Sequence, residues 1–107
     1  MPFQKPLPQK DFYAVIFSSI KSDDTEGYKE MDETTMQLAQ EQNGFLGYES
    51  VNNGKTGIFI SYWESMDAIH RWRINSTHLM AKSKAEQWYA RYLSQICKVE
   101  SSHLFEK

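Results

Sequence analysis

Apolar side chains cluster or alternate along several short segments in the way that β-strands require. Residues 12–20 read FYAVIFSSI and are rich in aromatic and β-branched side chains. The segments FLGYESV (45–51) and TGIFISYW (56–63) flank NNGK, a turn sequence that is typical of a β-hairpin. Residues 95–105, QICKVESSHLF, predict a last strand.

Helices are predicted between these strands by side chains that recur at spacings of three and four. The stripe of the first helix, which ends at Asn43-Gly44, consists of Tyr28, Met31, Thr35, Leu38 and Gln42. Ser65 is expected to cap a short helix that reaches about Arg73, and residues 75–77 break it. The face of the next helix carries His78, Ala81, Ala85, Trp88 and Tyr92. The order β-α-β-β-α-β predicts an α+β, ferredoxin-like antiparallel sheet with helices on one face.

Both faces of this predicted sheet are apolar. The first strand places Tyr13, Val15 and Phe17 on one side and Ala14, Ile16 and Ser18 on the other. The third strand alternates in the same way, with Ile58, Ile60 and Tyr62 opposite Phe59, Ser61 and Trp63. Since helices cover only one face, a second copy of the chain is expected to cover the other through a twofold axis. The alternative is a face that is merely less polar than usual.

The composition limits the class of protein. The 107 residues allow one domain, 12–107, preceded by a proline-containing extended arm, 1–11. The net charge of −2 gives no basic field for nucleic acid. No segment is apolar for the roughly 18 residues that a bilayer requires, and no signal peptide is visible. The single cysteine, Cys97, is expected to be a buried strand residue in a reducing compartment, which predicts a soluble cytoplasmic protein.

Several longer segments resemble the antibiotic biosynthesis monooxygenase superfamily. They are YAVIF (13–17), LAQEQNGFLGYES (38–50), ISYWESMDAIHRW (60–72), NSTH (75–78) and WYARY (88–92). The resemblance covers about residues 12–105 and is closest to a bacterial subgroup of small, poorly characterised proteins. It implies a dimeric α/β barrel in which two four-stranded sheets close on each other. It also implies a pocket between the sheet and the helices of each subunit.

Three residues are the candidate catalytic groups. His78 follows a Ser-Thr cap at a helix N-terminus, where a neutral imidazole is favoured and can accept a proton from an acidic phenol or enol. The Asn75 amide can donate to a developing oxyanion. A tryptophan at the position of Trp72 packs on the ligand in the heme-degrading enzymes that the chain resembles. Each residue also has a structural alternative. His78 can be a cap or core histidine, Asn75 a helix breaker and Trp72 a core anchor.

The remaining candidates are apolar or aromatic substrate-binding residues. They are Tyr13, Tyr62, Trp63, Ile69, Trp88 and Tyr92. Tyr62 and Trp63 lie on opposite faces of one strand, so at most one of them can line a helix-side pocket. Core packing is the alternative role of Tyr13 and Tyr92. The pairs Asp23-Asp24 and Asp32-Glu33 are expected to be solvated. The same is expected of a basic patch that could otherwise attract an anionic ligand: His70, Arg71, Arg73, Lys82 and Lys84.

The resemblance and the residues together predict a cofactor-independent monooxygenase that acts on an electron-rich aromatic or quinol-like molecule. No metal-ligand spacing or phosphate-binding glycine loop is present in the sequence, so no cofactor is expected. The alternative is a non-catalytic, small-molecule-binding or stress-related dimer. Heme degradation is disfavoured because Lys82 stands where those enzymes have the ligating histidine. Phe17-Ser18-Ser19 stands where they have a first-strand asparagine.

Overall fold

The computed structural model of the protein describes residues 7–75 and 84–107. In chain order the elements are β1 (Phe12–Lys21), α1 (Tyr28–Gln40), β2 (Phe45–Asn53), β3 (Thr56–Trp63), α2 (Met66–Arg73), α3 (Ala85–Trp88) and β4 (Tyr89–Val99). The predicted α+β, ferredoxin-like fold is therefore confirmed. The predicted cap of α2 is also confirmed, because the Ser65 hydroxyl accepts a hydrogen bond from the Ala68 backbone N–H.

The strands form one antiparallel sheet in the order β2-β3-β1-β4. Residues that pair directly across neighbouring strands share a face of the sheet. Val15, for example, lies between Ser61 and Ile96, and these three side chains belong to the face that the helices cover, the helix-side face. The open face is the opposite surface. Its apolar and aromatic members are Phe12, Ala14, Ile16, Ile20, Val51, Ile58, Ile60, Tyr62, Leu93 and Val99.

The bounds predicted for the last helix and strand were wrong. Helix α3 ends at Trp88, and β4 begins at Tyr89, so Tyr92 is a strand residue. The spacing of four from Trp88 to Tyr92 fits a helix, but Tyr92, Ser94 and Ile96 also alternate with period two, and pairing with β1 favours the strand. The strand ends at Val99 rather than at residue 105. The predicted helical positions His78 and Ala81 lie outside the described residues.

Cys97 is exposed, which corrects the expectation that it is buried. It belongs to the edge strand β4 and pairs with Ala14, so it lies on the open face. Cys97 does lie in a strand, as predicted, but the sequence does not reveal that the described helices leave this side of the sheet uncovered.

The core lies where α2 packs against the helix-side face. Trp63 is completely buried, and its ring stacks on that of Trp72 with centroids 5.2 Å apart. Phe45 meets Trp63 edge-on at 5.2 Å, and Ile69 is buried beside them. The Trp63 indole N–H donates to the Ser61 hydroxyl at 2.9 Å, which satisfies its only polar atom inside the core. This cluster fixes the position of α2 over the sheet.

Gly44 provides a test of the junction between α1 and β2. Its φ of +91° is unfavourable for a side chain, and an added Cβ would lie 2.6 Å from the Ala68 Cβ. We expect Gly44→Ala to lower the free energy of unfolding by at least about 2 kcal/mol. The cost of the positive φ and the cost of the steric overlap with the Ala68 Cβ add to each other. Gly54→Ala is the matched control, since its φ is +64° but no atom lies within 4 Å of the added Cβ. Urea denaturation that gives equal losses for the two variants would contradict the described packing at Gly44.

Candidate functional site

A cavity of about 590 Å³ lies between α1 and the helix-side face of the sheet. Residues of α2, α3 and β4 also contribute to its walls. Its aromatic walls include Phe17, Tyr28, Tyr48, Trp72, Trp88 and Tyr92. Cavities of this size hold small organic ligands, and aromatic walls provide a broad apolar contact surface for a planar molecule.

Trp72 belongs to both the core and the cavity. Its ring packs on Trp63 from the core side, and it is 8% exposed while lining the cavity. The two roles weighed from the sequence, core anchor and cavity wall, are thus compatible in the structure. Its neighbour Trp63 lies beneath it in the core and is not among the residues that line the cavity.

Trp88 and Tyr92 form the wall near the start of β4. Trp88 is buried, and its indole N–H donates to the Glu26 backbone carbonyl at 2.9 Å. The ring of Tyr92 stacks on Phe17 with centroids 5.5 Å apart. Both residues line the cavity, although Tyr92 does so from a strand and not from the predicted helix.

The α1 end of the cavity is polar. Tyr28 and Tyr89 meet edge-on with ring centroids 5.8 Å apart. Burial raises the pKa of Tyr28, and burial together with the neighbouring Tyr28 hydroxyl raises the pKa of Tyr89 far above its usual range. The neighbouring Asp32 has a raised pKa, chiefly because its carboxyl loses hydration, and the Lys21 ammonium partly offsets that rise. Both phenols therefore keep their protons at neutral pH.

A cation lines another part of the cavity. Arg73, at the end of α2, is half-buried, and its guanidinium Nη2 donates to the Ser94 hydroxyl at 3.3 Å. The sequence pattern predicted that Arg73 belongs to a solvated basic patch, but the structure places it among the cavity-lining residues. The other described members of that patch, His70, Arg71 and Lys84, are exposed.

Other predicted substrate-binding residues lie away from the cavity. Ile69 is buried in the core, and Tyr13 packs against that core half-buried. Tyr62 lies on the open face, where its hydroxyl donates to the Glu49 carboxylate at 2.9 Å. Burial and this hydrogen bond raise the pKa of Tyr62 to about 12. The structure thus brings Trp72, Trp88 and Tyr92 together and leaves Tyr13, Tyr62, Trp63 and Ile69 off the cavity wall.

The two remaining catalytic candidates are not joined to the cavity by the described geometry. Asn75 follows α2, is half-buried, and its backbone N–H donates to the Trp72 carbonyl. It is not among the described lining residues. His78 lies outside the described residues, so its role as a base stays a prediction. Four lining residues were not predicted from the sequence: Arg73, Asp32, Tyr28 and Tyr89. Their positions suggested a solvated surface or ordinary helix positions.

Across residues 7–75 and 84–107, no group of three or more His, Cys, Asp or Glu side chains is placed to hold a metal ion. The helices of the described part of the chain fall short of the length and apolarity that crossing a bilayer requires.

Comparisons with known proteins agree with this architecture. A family model described as monooxygenase af470-like matches residues 20–103. The uncharacterised protein YqjZ of Bacillus subtilis strain 168 is 45% identical over 109 residues, which cover 100% of this chain and 96% of YqjZ.

Solved structures show the same fold at low sequence identity. SnoaB, a cofactor-independent oxygenase from Streptomyces nogalater, superposes with a TM-score of 0.72 at 12% identity, covering 86% of this chain and 96% of SnoaB. Rv0793 from Mycobacterium tuberculosis gives a TM-score of 0.72 at 14% identity, covering 89% and 97% of the two chains. The predicted resemblance is confirmed: the chain belongs to the monooxygenase af470-like family and has the fold of antibiotic biosynthesis monooxygenases.

Proposed function

We propose that the protein is a cofactor-independent monooxygenase that adds one oxygen atom from O2 to an electron-rich aromatic or quinol-like molecule. The observation that carries the proposal is the cavity of about 590 Å³, which combines aromatic walls with the guanidinium of Arg73. The name of SnoaB, a cofactor-independent oxygenase with the same fold, supports the class of reaction. At 12% identity this likeness shows the fold alone, so support for the chemistry comes from the residues of the cavity.

The reaction requires a substrate that can itself supply electrons. Ground-state O2 has two unpaired electrons and reacts slowly with closed-shell molecules. A phenol or enol that has lost its proton can transfer one electron to O2, and the resulting radical pair combines to a peroxide anion. Protonation and loss of water then leave one oxygen atom on the substrate and one in water. All four electrons that reduce O2 come from the substrate, as in the conversion of an anthrone to an anthraquinone.

The protein has three tasks in this scheme: to accept a proton, to stabilise the anion and to exclude water. The aromatic walls that include Trp72 and Trp88 would exclude water around the ring system. Arg73 would stabilise the deprotonated substrate and the superoxide that forms beside it. His78 remains the proposed base and Asn75 a proposed donor, on the strength of the sequence alone.

The proposal is tested with an oxygen electrode and a panel of hydroquinones and anthrones, using protein treated with a chelator. Consumption of O2 above the autoxidation rate, with the corresponding oxygenated product, is the expected result. Ligand-dependent thermal stabilisation without O2 consumption would favour the alternative, a non-catalytic binding or stress-related protein. A Soret band on titration with hemin, accompanied by heme loss in the presence of a reductant, would favour heme degradation and contradict the proposal.

Arg73 provides the sharpest mutational test of anion stabilisation. We expect Arg73→Gln to lower kcat/KM by about 10- to 100-fold, since loss of one aimed donor in a desolvated site typically has an effect of this order. Arg71→Gln is the matched control, because Arg71 is exposed on the same helix and is absent from the cavity wall. Steady-state rates of O2 uptake that fall equally in both variants would exclude a local role for the Arg73 guanidinium.

We further propose that a second copy of the chain covers the open face. Ile58 is 43% exposed there and Val51 is 68% exposed, while Ile16 and Ile60 are half-buried. A continuous apolar face on a two-layer domain is stabilised when a partner removes it from water. A twofold arrangement would place two sheets face to face, with one cavity under the helices of each subunit. We place this dimer in the cytoplasm, where a reducing environment keeps the single cysteine, Cys97, as a thiol.

A further inference from the structure

We propose that Tyr28, Asp32, Thr35 and Tyr89 form a second recognition point in the cavity, the α1 subsite. This subsite binds an uncharged hydroxyl group of the ligand and rejects a carboxylate. The inference deepens the proposed function, because it rests on the cavity being the site of an aromatic ligand. It names the chemistry that the ligand carries at the end away from Arg73.

The geometry of α1 and β4 assembles these four residues on one wall. Tyr28, Asp32 and Thr35 follow one another at spacings of four and three, so they lie on one side of α1. Tyr89 is the first residue of β4, and its ring meets that of Tyr28 edge-on at 5.8 Å. All four residues line the cavity.

The Thr35 hydroxyl indicates that this wall is built for a polar ligand group. The hydroxyl of the adjacent Thr34 donates to the Glu30 backbone carbonyl at 2.9 Å, as helical threonines commonly do. The Thr35 Oγ1, in contrast, is buried and has no hydrogen-bond partner among the described residues. An unsatisfied buried hydroxyl is costly, and rotation of the Thr35 side chain toward the cavity, where a ligand hydroxyl can bind it, would relieve that cost.

The charge of this wall decides which polar group it accepts. Asp32 and Glu33 both line the cavity, and the positive charge that acts on Asp32 is the Lys21 ammonium. Lys21 also packs over the Tyr28 ring at 5.1 Å. Two carboxylates thus face one ammonium, while Tyr28 and Tyr89 stay neutral. A ligand hydroxyl can donate to Asp32 and accept from a tyrosine, whereas a ligand carboxylate would meet like charge.

Near Arg73, a ligand carboxylate is expected to be preferred over a ligand hydroxyl. The Arg73 guanidinium contacts Ser94, which is five residues along β4 from Tyr89, or about 16 Å of backbone at the usual rise of a strand. The cavity therefore has a cationic region and an anionic region that are separated along the sheet. A ligand with one carboxylate can bind in a single orientation, with that group toward Arg73 and its hydroxyl toward the α1 subsite.

Three naphthalenes with matched shapes test this polarity: 2,6-dihydroxynaphthalene, 6-hydroxy-2-naphthoate and 2,6-naphthalenedicarboxylate. Their affinities are measured by isothermal titration calorimetry at neutral pH under argon, so that no turnover occurs. We expect the monoacid to bind at least as tightly as the diol, because its carboxylate can pair with the Arg73 guanidinium. We expect the diacid to bind at least about tenfold more weakly than the monoacid, because one of its carboxylates must face Asp32.

Two variants and one control assign the effect to the α1 subsite. Asp32→Asn is expected to tighten binding of the diacid by about fivefold or more, whereas Asp67→Asn, on the exposed first turn of α2, should leave it unchanged. Thr35→Val should weaken the diol and the monoacid by about threefold or more without lowering the melting temperature. A residue with a purely structural role would not give that combination.

The proposal is overturned if the diacid binds as tightly as the monoacid, if Asp32→Asn and Asp67→Asn give the same affinities, or if none of the three compounds binds. These outcomes are independent of oxygen chemistry. A protein that shows the expected binding pattern but consumes no O2 would refute the monooxygenase proposal and retain the α1 subsite. A protein that consumes O2 but lacks this binding pattern would refute the α1 subsite and retain the monooxygenase proposal.

Discussion

Replacement of Trp72 by alanine is expected to lower the free energy of unfolding by about 3–5 kcal/mol. The indole is 8% exposed and stacks on the fully buried Trp63, so its removal leaves a void between α2 and the sheet. That void would also join the cavity and remove part of its wall. Urea denaturation monitored by circular dichroism measures the loss, and oxygen uptake measured well below the midpoint should be abolished.

Trp72→Phe is the control for this prediction. The smaller ring keeps most of the contact with Trp63 and should cost about 1–2 kcal/mol. A loss for Trp72→Ala of less than about 1 kcal/mol would show that the stacked pair does not hold α2 in place. Trp72 would then not be a rigid part of the cavity wall.

A lysine on an inner strand of the open face is expected to convert the proposed dimer to a monomer. Ile58 lies on the central strand β3 and is 43% exposed, so Ile58→Lys should be tolerated by the isolated subunit. In a twofold dimer each substitution occurs twice. The lost apolar burial alone amounts to about 4 kcal/mol, which raises the dissociation constant by roughly a thousandfold.

Sedimentation velocity over a range of protein concentrations measures this effect. Ile74→Lys is the matched control, because Ile74 follows α2, is 60% exposed and does not belong to the sheet. The wild type and Ile74→Lys should sediment as dimers, and Ile58→Lys as a monomer. A wild-type protein that is monomeric at micromolar concentration would contradict the proposal that a second copy covers the open face.

The first three strands of the fold could be predicted because their sequence patterns have one interpretation. NNGK between two apolar segments predicts a hairpin, and the observed register pairs Asn53 with Thr56 across that turn. Apolar side chains on both sides of β1 also indicated that one face of the sheet needs a further cover. The observed exposure of Ile20 and Val51 on the open face agrees with that interpretation of the pattern.

The junction of α3 and β4 could not be predicted from periodicity. Trp88 and Tyr92 are four residues apart, which suits one face of a helix, while Tyr92 and Ser94 also suit one face of a strand. What decides between them is the long pairing of β4 with β1, a contact between residues distant in the chain. Local patterns carry no information about such a contact.

The polar residues of the cavity were missed for a related reason. Asp32 and Arg73 carry charges in amphipathic helices, where charge normally indicates a solvated face. Among the described residues a cavity lies between α1 and the sheet, so charged side chains beside the apolar stripe also border that cavity. The aromatic wall was more predictable. Trp72 and Trp88 are large apolar residues, which are buried whether they pack in the core or line a cavity.

The most direct test of the central claim, that the cavity supports oxygenation without a cofactor, is an isotope measurement. Chelator-treated protein is incubated with an anthrone under ¹⁸O2, and the quinone product is analysed by mass spectrometry. We predict one ¹⁸O atom in each product molecule formed by the wild type and a loss of that product in Arg73→Gln. Product that carries oxygen from water, or formation at the same rate without the protein, would contradict the account.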